Sequence, residues 1–269
     1  MIRKSSISEE DFFSFKLTEK SICGMTYKSA GNFWHEYSSE KSFEFAKKVL
    51  ELTGFDLLYL FNRLIVMRAE THSDKVICFS KPNNLRTNEF FGDGAIYYGP
   101  GAAVFFPGGC PAIAFRDEEA NLSGLLHGGW KPITQGILEK FLKQWEKSGG
   151  KSHKTLIKFL PSICPQCLIY ERKYFVSKIV PHLVTLLGNE ITAQDFYSHV
   201  RNKARHRNET NFYLDFLIER ILRVSGYQNL ELSSECTCCS EKGGKYWCYR
   251  HDDNKEKRYR SAAFLITAV

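Results

Sequence analysis

His72, Cys110 and His127 are the side chains of this sequence best suited to chemistry. His72 lies in the polar segment Glu70-Thr71-His72-Ser73-Asp74-Lys75-Val76. Cys110 follows Pro107-Gly108-Gly109 and precedes Pro111. His127 opens His127-Gly128-Gly129-Trp130-Lys131-Pro132 directly after an apolar run. Two imidazoles and one thiolate supply three zinc ligands and leave a fourth position open, which a catalytic ion needs so that water or substrate can enter. The same donors also suit copper. Separations of 38 and 17 residues match no short zinc-finger spacing, so the fold must bring the three together. Gly108 and Gly109 allow a sharp turn that exposes the Cys110 sulfur. Gly128 and Gly129 are expected to leave room for a substrate or metal and to offer backbone N–H groups to an anion at the start of the next helix. Taken singly, each residue has a plainer reading: a packed thiol after a turn, a core histidine beside a tryptophan, a surface histidine. Their combination is what argues for a site.

The elements that must position them follow from apolar periodicity. Strands are expected at Leu57 to Leu60, Leu64 to Met67, Lys75 to Phe79, Ala95 to Tyr98 and Ala102 to Phe106, the last two separated by the turn signal Gly99-Pro100-Gly101. Ala112 to Phe115 and Leu122 to Leu126 pair around Arg116-Asp117-Glu118-Glu119. Further strands are expected at Thr155 to Leu160, Tyr246 to Arg250 and Ala262 to Ile266. Helical spacing marks Ser42 to Leu52, Thr134 to Glu146, Tyr174 to Leu187 and Asn211 to Val224, the last stopped by Gly226. Strands and helices mix without regular alternation, which favours an α+β fold over a doubly wound sheet.

A chain of 269 residues, 43% apolar and 25% charged, is an ordinary globular composition. The net charge of +7 permits anionic substrates without requiring nucleic acid. No stretch approaches the ~20 apolar residues of a membrane helix. The first residues lack the apolar core of a secretory signal, so a cytoplasmic protein is expected. Nine cysteines without a signal point to reduced thiols rather than a disulfide framework. Cys164-Pro165-Gln166-Cys167, with Cys236, Cys238, Cys239 and Cys248, is a weaker metal pattern: its second half reads as irregular, and buried free thiols are the expectation. The basic run Arg201 to Asn208 reads as a solvated face. His35, among Phe33, Trp34 and Tyr37, reads as part of a packed lid.

Several segments taken in order resemble one family. Glu70 to Val76 resembles its first histidine motif. Gly92-Asp93-Gly94-Ala95-Ile96, Gly109-Cys110-Pro111-Ala112-Ile113 and Leu126-His127-Gly128-Gly129-Trp130-Lys131 resemble the next three. Pro161-Ser162-Ile163-Cys164-Pro165, Asn211 through Gly226, Cys236-Thr237, Tyr249-Arg250 and Arg260 complete the set. The order is that of the laccase-domain (YfiH-like, polyphenol-oxidase-named, purine nucleoside phosphorylase) family from about residue 70 onward. The chain is thus identified as one laccase-like domain over 1–269, with a divergent N-terminal third at about 1–60.

The resemblance implies a mixed β-sandwich flanked by helices. It implies a metal, zinc or copper, on His72, Cys110 and His127, which are then also the catalytic residues. It implies purine nucleoside and phosphate as partners, with phosphorolysis of adenosine, inosine or methylthioadenosine and deamination of adenosine as the activities. Lys131, Arg250, Gly128 and Gly129 are candidates for holding phosphate. Neither a membrane nor nucleic acid is an expected partner. Some positions depart from the family pattern: Glu70 replaces a glutamine, Gly109 an aspartate, Lys131 an arginine and Pro132 a glycine. Lysine offers phosphate a point charge where arginine offers a bidentate fork. Two alternatives therefore stand beside the nucleoside enzyme: a Cys110–His127 hydrolase or amidase acting on a peptide or cell-wall precursor, and a catalytically weakened relic of the family.

Overall fold

Three strands near the middle of the chain alternate in a way that commits both of their faces to burial. Ala95 and Tyr97, Ala112 and Ala114, and Leu125 face one way. Ile96, Ile113, Phe115, Leu122 and Leu126 face the other. A strand with both faces apolar must lie between two layers. The structure, a computed structural model that describes residues 12–30, 64–68, 73–79, 88–187, 208–239, 245–248 and 260–267, places them in the middle of three layers.

The middle layer is a six-stranded sheet in the order β13-β10-β8-β9-β6-β4. Its strands are β4 (Val76–Phe79), β6 (Gly94–Tyr98), β8 (Ala112–Asp117), β9 (Leu122–His127), β10 (Leu156–Phe159) and β13 (Leu230–Glu231). The outer sheet, β1-β2-β14-β7-β3-β5, comprises β1 (Phe12–Thr18), β2 (Ser21–Thr26), β3 (Leu64–Arg68), β5 (Asn88–Phe91), β7 (Gly101–Phe105) and β14 (Ala263–Thr267). Both sheets are mixed: β3 runs parallel to β5 and β7, β4 to β6, and β10 to β13, while the other pairs are antiparallel. Ile65, Met67, Ala103, Phe105, Ala263 and Leu265 of the outer sheet close on the alanine-rich face of the middle sheet. Those small side chains let the two sheets approach closely. A polar link crosses the same interface: the Tyr97 hydroxyl donates to the Leu265 carbonyl at 3.1 Å, and Ser123 and Thr267 hydroxyls meet at 2.8 Å.

The other face of the middle sheet is covered by helices. The helix expected over Thr134 to Glu146 is α2 (Ile137–Lys147); a separate short helix, α1 (Trp130–Thr134), precedes it, and Gly136 between them takes a left-handed conformation at φ 82°. A short helix Arg172–Tyr174 and a π-helical segment Phe175–Ile179 lead into α3 (Val180–Leu187). The π stretch ends just ahead of Pro181, which has no N–H to continue an α ladder. Asn211 belongs to β12 (Glu209–Asn211), which pairs with β11 (Ile169–Glu171), and α4 (Leu214–Val224) begins only after it. Leu138, Phe141 and Trp145 of α2 and Leu214, Leu217 and Ile218 of α4 bury against the middle sheet. Each such side chain contributes about 1.5–3 kcal/mol by leaving water. No helix among the described residues is long and apolar enough to cross a membrane.

The α+β assignment and the helix-flanked mixed sandwich therefore hold. The turn at Gly99-Pro100-Gly101 carries the chain between layers, since β6 lies in the middle sheet and β7 in the outer one. One local expectation does not hold. Tyr246 lies in a bend, and Trp247 and Cys248 are irregular rather than a strand, with the Trp247 amide donating to the Ser261 hydroxyl rather than to a ladder. The segments Ser42 to Leu52 and Leu57 to Leu60, together with His35, lie outside the described residues.

Candidate metal centre

The hairpin of β8 and β9 builds the core of the site. Its register sets Ala112 opposite His127, so Cys110, two residues before Ala112, reaches the same end of the sheet. The Gly128 amide donates to the Pro111 carbonyl at 2.7 Å and closes this end. Gly109 adopts φ 108°, a backbone that favours glycine, and this turns the chain into Cys110. The Arg260 guanidinium packs over Gly108, 2.7 Å from where a Cβ would lie, and would have to shift to admit a side chain. Cys110 is half-buried, while His127 is buried and sits on the inter-sheet face against the Phe105 ring, 5.4 Å between centroids.

Asp93 completes the arrangement. It occupies the two-residue link between β5 and β6. One of its carboxylate oxygens lies 2.5 Å from His127 Nδ1. The other accepts the Ser73 amide at 2.6 Å and the Ser73 hydroxyl at 2.8 Å. Its backbone is pinned as well: the His127 amide donates to the Asp93 carbonyl at 2.7 Å, and the Asp93 amide donates to the Lys75 carbonyl at 3.1 Å. One aspartate thus fixes His127 and the residue that follows His72 in the chain. His72 itself lies outside the described residues, as does Arg250.

The electrostatics agree with the geometry. Burial works against a charged His127, but hydrogen bonds to Asp93 and to Cys110 outweigh it, and the imidazolium is pushed up to about 10. With Nδ1 given to Asp93, Nε2 is the nitrogen left for Cys110 or for a metal. A carboxylate that holds one nitrogen of a histidine commonly fixes the ring so that the other nitrogen can bind a transition metal. An imidazole and a thiol side by side are a donor set that fits zinc or copper. In the sequence, Gly92-Asp93-Gly94 is a motif segment with no evident role for Asp93. The signal was available, since a ligand histidine calls for a carboxylate partner.

The glycines after His127 serve the fold more than the expectation allowed. A Cβ on Gly128 would meet Ile218 Cδ1 at 2.9 Å and Pro111 Cβ at 3.2 Å, and its amide already donates to Pro111. Gly128 therefore makes room for α4. Lys131 is exposed in the first turn of α1, its ammonium 5.8 Å from the Trp130 ring centroid.

Beside this site the structure gathers four thiols of the weaker cysteine pattern. The sulfurs of Cys164, Cys167, Cys236 and Cys239 all lie within 4.8 Å of one another. None of the nine cysteines is in a disulfide. The Cys164 thiol donates to Cys236, and this, with three backbone amides aimed at the same sulfur, pulls Cys236 well below the ordinary thiol range while it raises Cys164. Nearby, Asp215 is half-buried on α4 and accepts the Ser162 hydroxyl at 2.7 Å. Burial pushes its carboxyl up to about 6.

Residues 55–267 match the family described as multi-copper polyphenol oxidoreductase laccase. Among solved structures, the chain resembles the Bacillus licheniformis hypothetical protein YfiH, with TM-score 0.76, 18% identity, and 97% of this chain and 98% of that one covered. It also resembles YlmD from Geobacillus stearothermophilus, with TM-score 0.74, 18% identity, and 95% and 94% covered. A Neisseria meningitidis protein aligns with TM-score 0.71, 13% identity, and 96% and 100% covered. These likenesses establish the shared fold. No curated protein matches the chain by sequence.

Proposed function

Because the chain belongs to the multi-copper polyphenol oxidoreductase laccase family, whose members include the laccase-domain proteins it resembles, we propose that it is a metal-dependent purine nucleoside enzyme. The reactions are phosphorolysis of adenosine, inosine or methylthioadenosine, and deamination of adenosine. The observation that carries this reading is the hydrogen-bonded series Asp93, His127, Cys110, in which a buried carboxylate orients an imidazole toward a thiol. Cys110 and His127 would hold the ion, and His72, which directly precedes the Ser73 tied to Asp93, is the third ligand in this proposal. When bound, zinc supplies Lewis acidity, the property that activates water near neutral pH.

The chain's own groups do the rest. Asp93 keeps His127 in one tautomer and one orientation. Phe105 excludes water from one side of the ring. Lys131 supplies an exposed positive charge four residues after His127, suited to inorganic phosphate. Arg250 is the second cation of this proposal, and the Gly129 amide a further donor. Gly128 is left out of that set because its amide is committed to Pro111.

The test is a product assay on the purified chain with adenosine, with and without phosphate, alongside elemental analysis. Phosphate-dependent release of adenine that His127→Ala abolishes supports the reading, as does release of ammonia without phosphate. A zinc-replete protein that turns over none of the three nucleosides overturns it and leaves a catalytically weakened relic.

One observation favours a second reading. The Cys110–His127 hydrogen bond is also the geometry of a cysteine nucleophile beside its base, as in a hydrolase or amidase acting on a peptide or cell-wall precursor. Alkylation separates the two. A metal ligand at Cys110 is protected by zinc, whereas a free nucleophile reacts fast near neutral pH and stays active when zinc is removed.

A further inference from the structure

The four gathered sulfurs belong to two short backbone turns of identical spacing. Cys164-Pro165-Gln166-Cys167 and Cys236-Thr237-Cys238-Cys239 are each Cys-x-x-Cys, the pattern of a zinc knuckle. Cys238 interrupts the second by eye, which hides its spacing. The two turns lie far apart in sequence, and the fold docks them. Ser162 and Cys236 form a parallel bridge, the Thr237 amide donates to the Ser162 carbonyl at 2.9 Å, and the Cys167 and Leu168 amides close the first turn on the Cys164 carbonyl at 3.0 and 2.9 Å.

The sulfur geometry is that of a tetrahedral ion. Zinc–sulfur bonds of about 2.3 Å place tetrahedral sulfurs about 3.8 Å apart. Here all four lie within 4.8 Å, with Cys164 and Cys239 at 3.5 Å. The Cys236 sulfur receives the amides of Cys164, Cys238 and Cys239 at 3.2, 3.3 and 3.4 Å. Backbone donors of this kind stabilise the negative sulfur that a metal requires. None of the four is in a disulfide, so each sulfur is available to an ion.

We propose that Cys164, Cys167, Cys236 and Cys239 bind one structural zinc ion that fastens 161–168 to 236–239. Four protein ligands close the coordination sphere, so this ion has no open position and performs no chemistry. Its role is to buttress. The Ile163 amide donates to the Gly109 carbonyl at 2.8 Å. A Cβ on Gly109 would meet Cys248 Sγ at 3.2 Å, Thr237 Oγ1 at 3.3 Å and Ile163 Cβ at 3.8 Å. The turn that presents Cys110 therefore rests on the neighbours of Cys164 and Cys236. The proposal stands without the nucleoside reading, since it concerns metal content alone.

The experiment uses the full chain purified under reducing conditions, with zinc as the probe. Elemental analysis of the His127→Ala protein reads the tetrathiolate site by itself, and about one zinc per chain is expected there whatever the nucleoside assay gives. Mapping of alkylated peptides should show Cys164, Cys167, Cys236 and Cys239 protected until a chelator is added. Cobalt in place of zinc should give the intense visible bands of a tetrahedral tetrathiolate. Cys238→Ser should keep the zinc and these bands. The double variant Cys164→Ser with Cys167→Ser should lose one zinc relative to its parent. A zinc-free His127→Ala protein, iron in place of zinc, disulfides among the four cysteines, or equal alkylation with and without chelator each overturns the proposal. The alkylation and cobalt arms use unaltered cysteines, so a variant that fails to fold does not shield it.

Discussion

Asp93→Asn isolates the contribution of one charge at the metal centre, because the amide is nearly isosteric with the carboxylate. Asp93 accepts two bonds from Ser73 and one from His127 Nδ1. An asparagine must keep its oxygen on Ser73, where the partner is a backbone N–H, and so turns its NH2 toward His127. The imidazole then has to accept at Nδ1 and carry its proton on Nε2, the nitrogen a metal needs. Loss of such a carboxylate partner costs 10–100-fold in metal affinity on the order of other outer-shell changes, or about 1.4–2.7 kcal/mol. The same change acts on the metal-free chain. Raising His127 from 6.5 to about 10 favours the folded imidazolium by about 5 kcal/mol, supplied by Asp93 together with Cys110 against the cost of burial. That stability is complete below about pH 6.5 and is lost as pH climbs toward 10. The assays are zinc titration at fixed pH and urea unfolding of chelator-treated protein between pH 6 and 10. The variant should bind zinc more weakly at the centre and lose much of the pH slope. Unchanged zinc affinity and an unchanged slope would refute the role given to Asp93.

Other consequences are open to measurement. Zinc affinity at Cys110 and His127 should rise with pH, because His127 holds a proton up to about pH 10 that the metal must displace; isothermal titration in buffers of different ionisation heat counts the protons released. Gly128→Ala should destabilise by about 1–3 kcal/mol through overpacking, since its Cβ would sit 2.9 Å from Ile218 Cδ1, and Ile218→Val should relieve part of that loss in urea melts. Asp215→Asn should stabilise chelator-treated protein by up to about 3 kcal/mol above pH 6 and not at pH 4. The native carboxyl, raised to about 6 from 3.8, makes folding less favourable as pH rises through that window, and an amide can still accept from Ser162. Tyr97→Phe should cost about 1 kcal/mol by deleting the bond to Leu265 between the sheets, without changing metal content.

What the sequence revealed and what it concealed divide along physical lines. The β8–β9 hairpin was legible because its two apolar runs flank a charged turn, and the helical faces of α2 and α4 because their apolar residues recur at helical spacing. The layer change at Gly99-Pro100-Gly101 was not, because a turn dipeptide says that the chain bends and not toward which sheet. Tyr246 to Arg250 read as a strand from its aromatic residues, yet Tyr246 is drawn to Tyr27 and to Glu235 instead, the rings 5.1 Å apart and the hydroxyl 2.6 Å from the carboxylate. At the site, Cys110 and His127 were found by residue type and were indeed brought together. Asp93 escaped because an aspartate between two glycines looks like turn chemistry, and its meaning depends on a partner 34 residues away. The cysteine quartet was legible only as a weaker metal pattern, because proximity across sequence-distant turns is a property of the fold.

The position of β14 has a consequence for synthesis. It is the last described strand in chain order, yet it lies inside its sheet, with β2 on one side and β7 on the other. A nascent chain that has not yet delivered Ala263–Thr267 has two exposed strand edges where one closed seam should be, and the hairpin of β1 and β2 has nothing to pair with. A chain cut before Ala263 would therefore be not a slightly shortened protein but one split along that seam, with unpaired edges prone to aggregation.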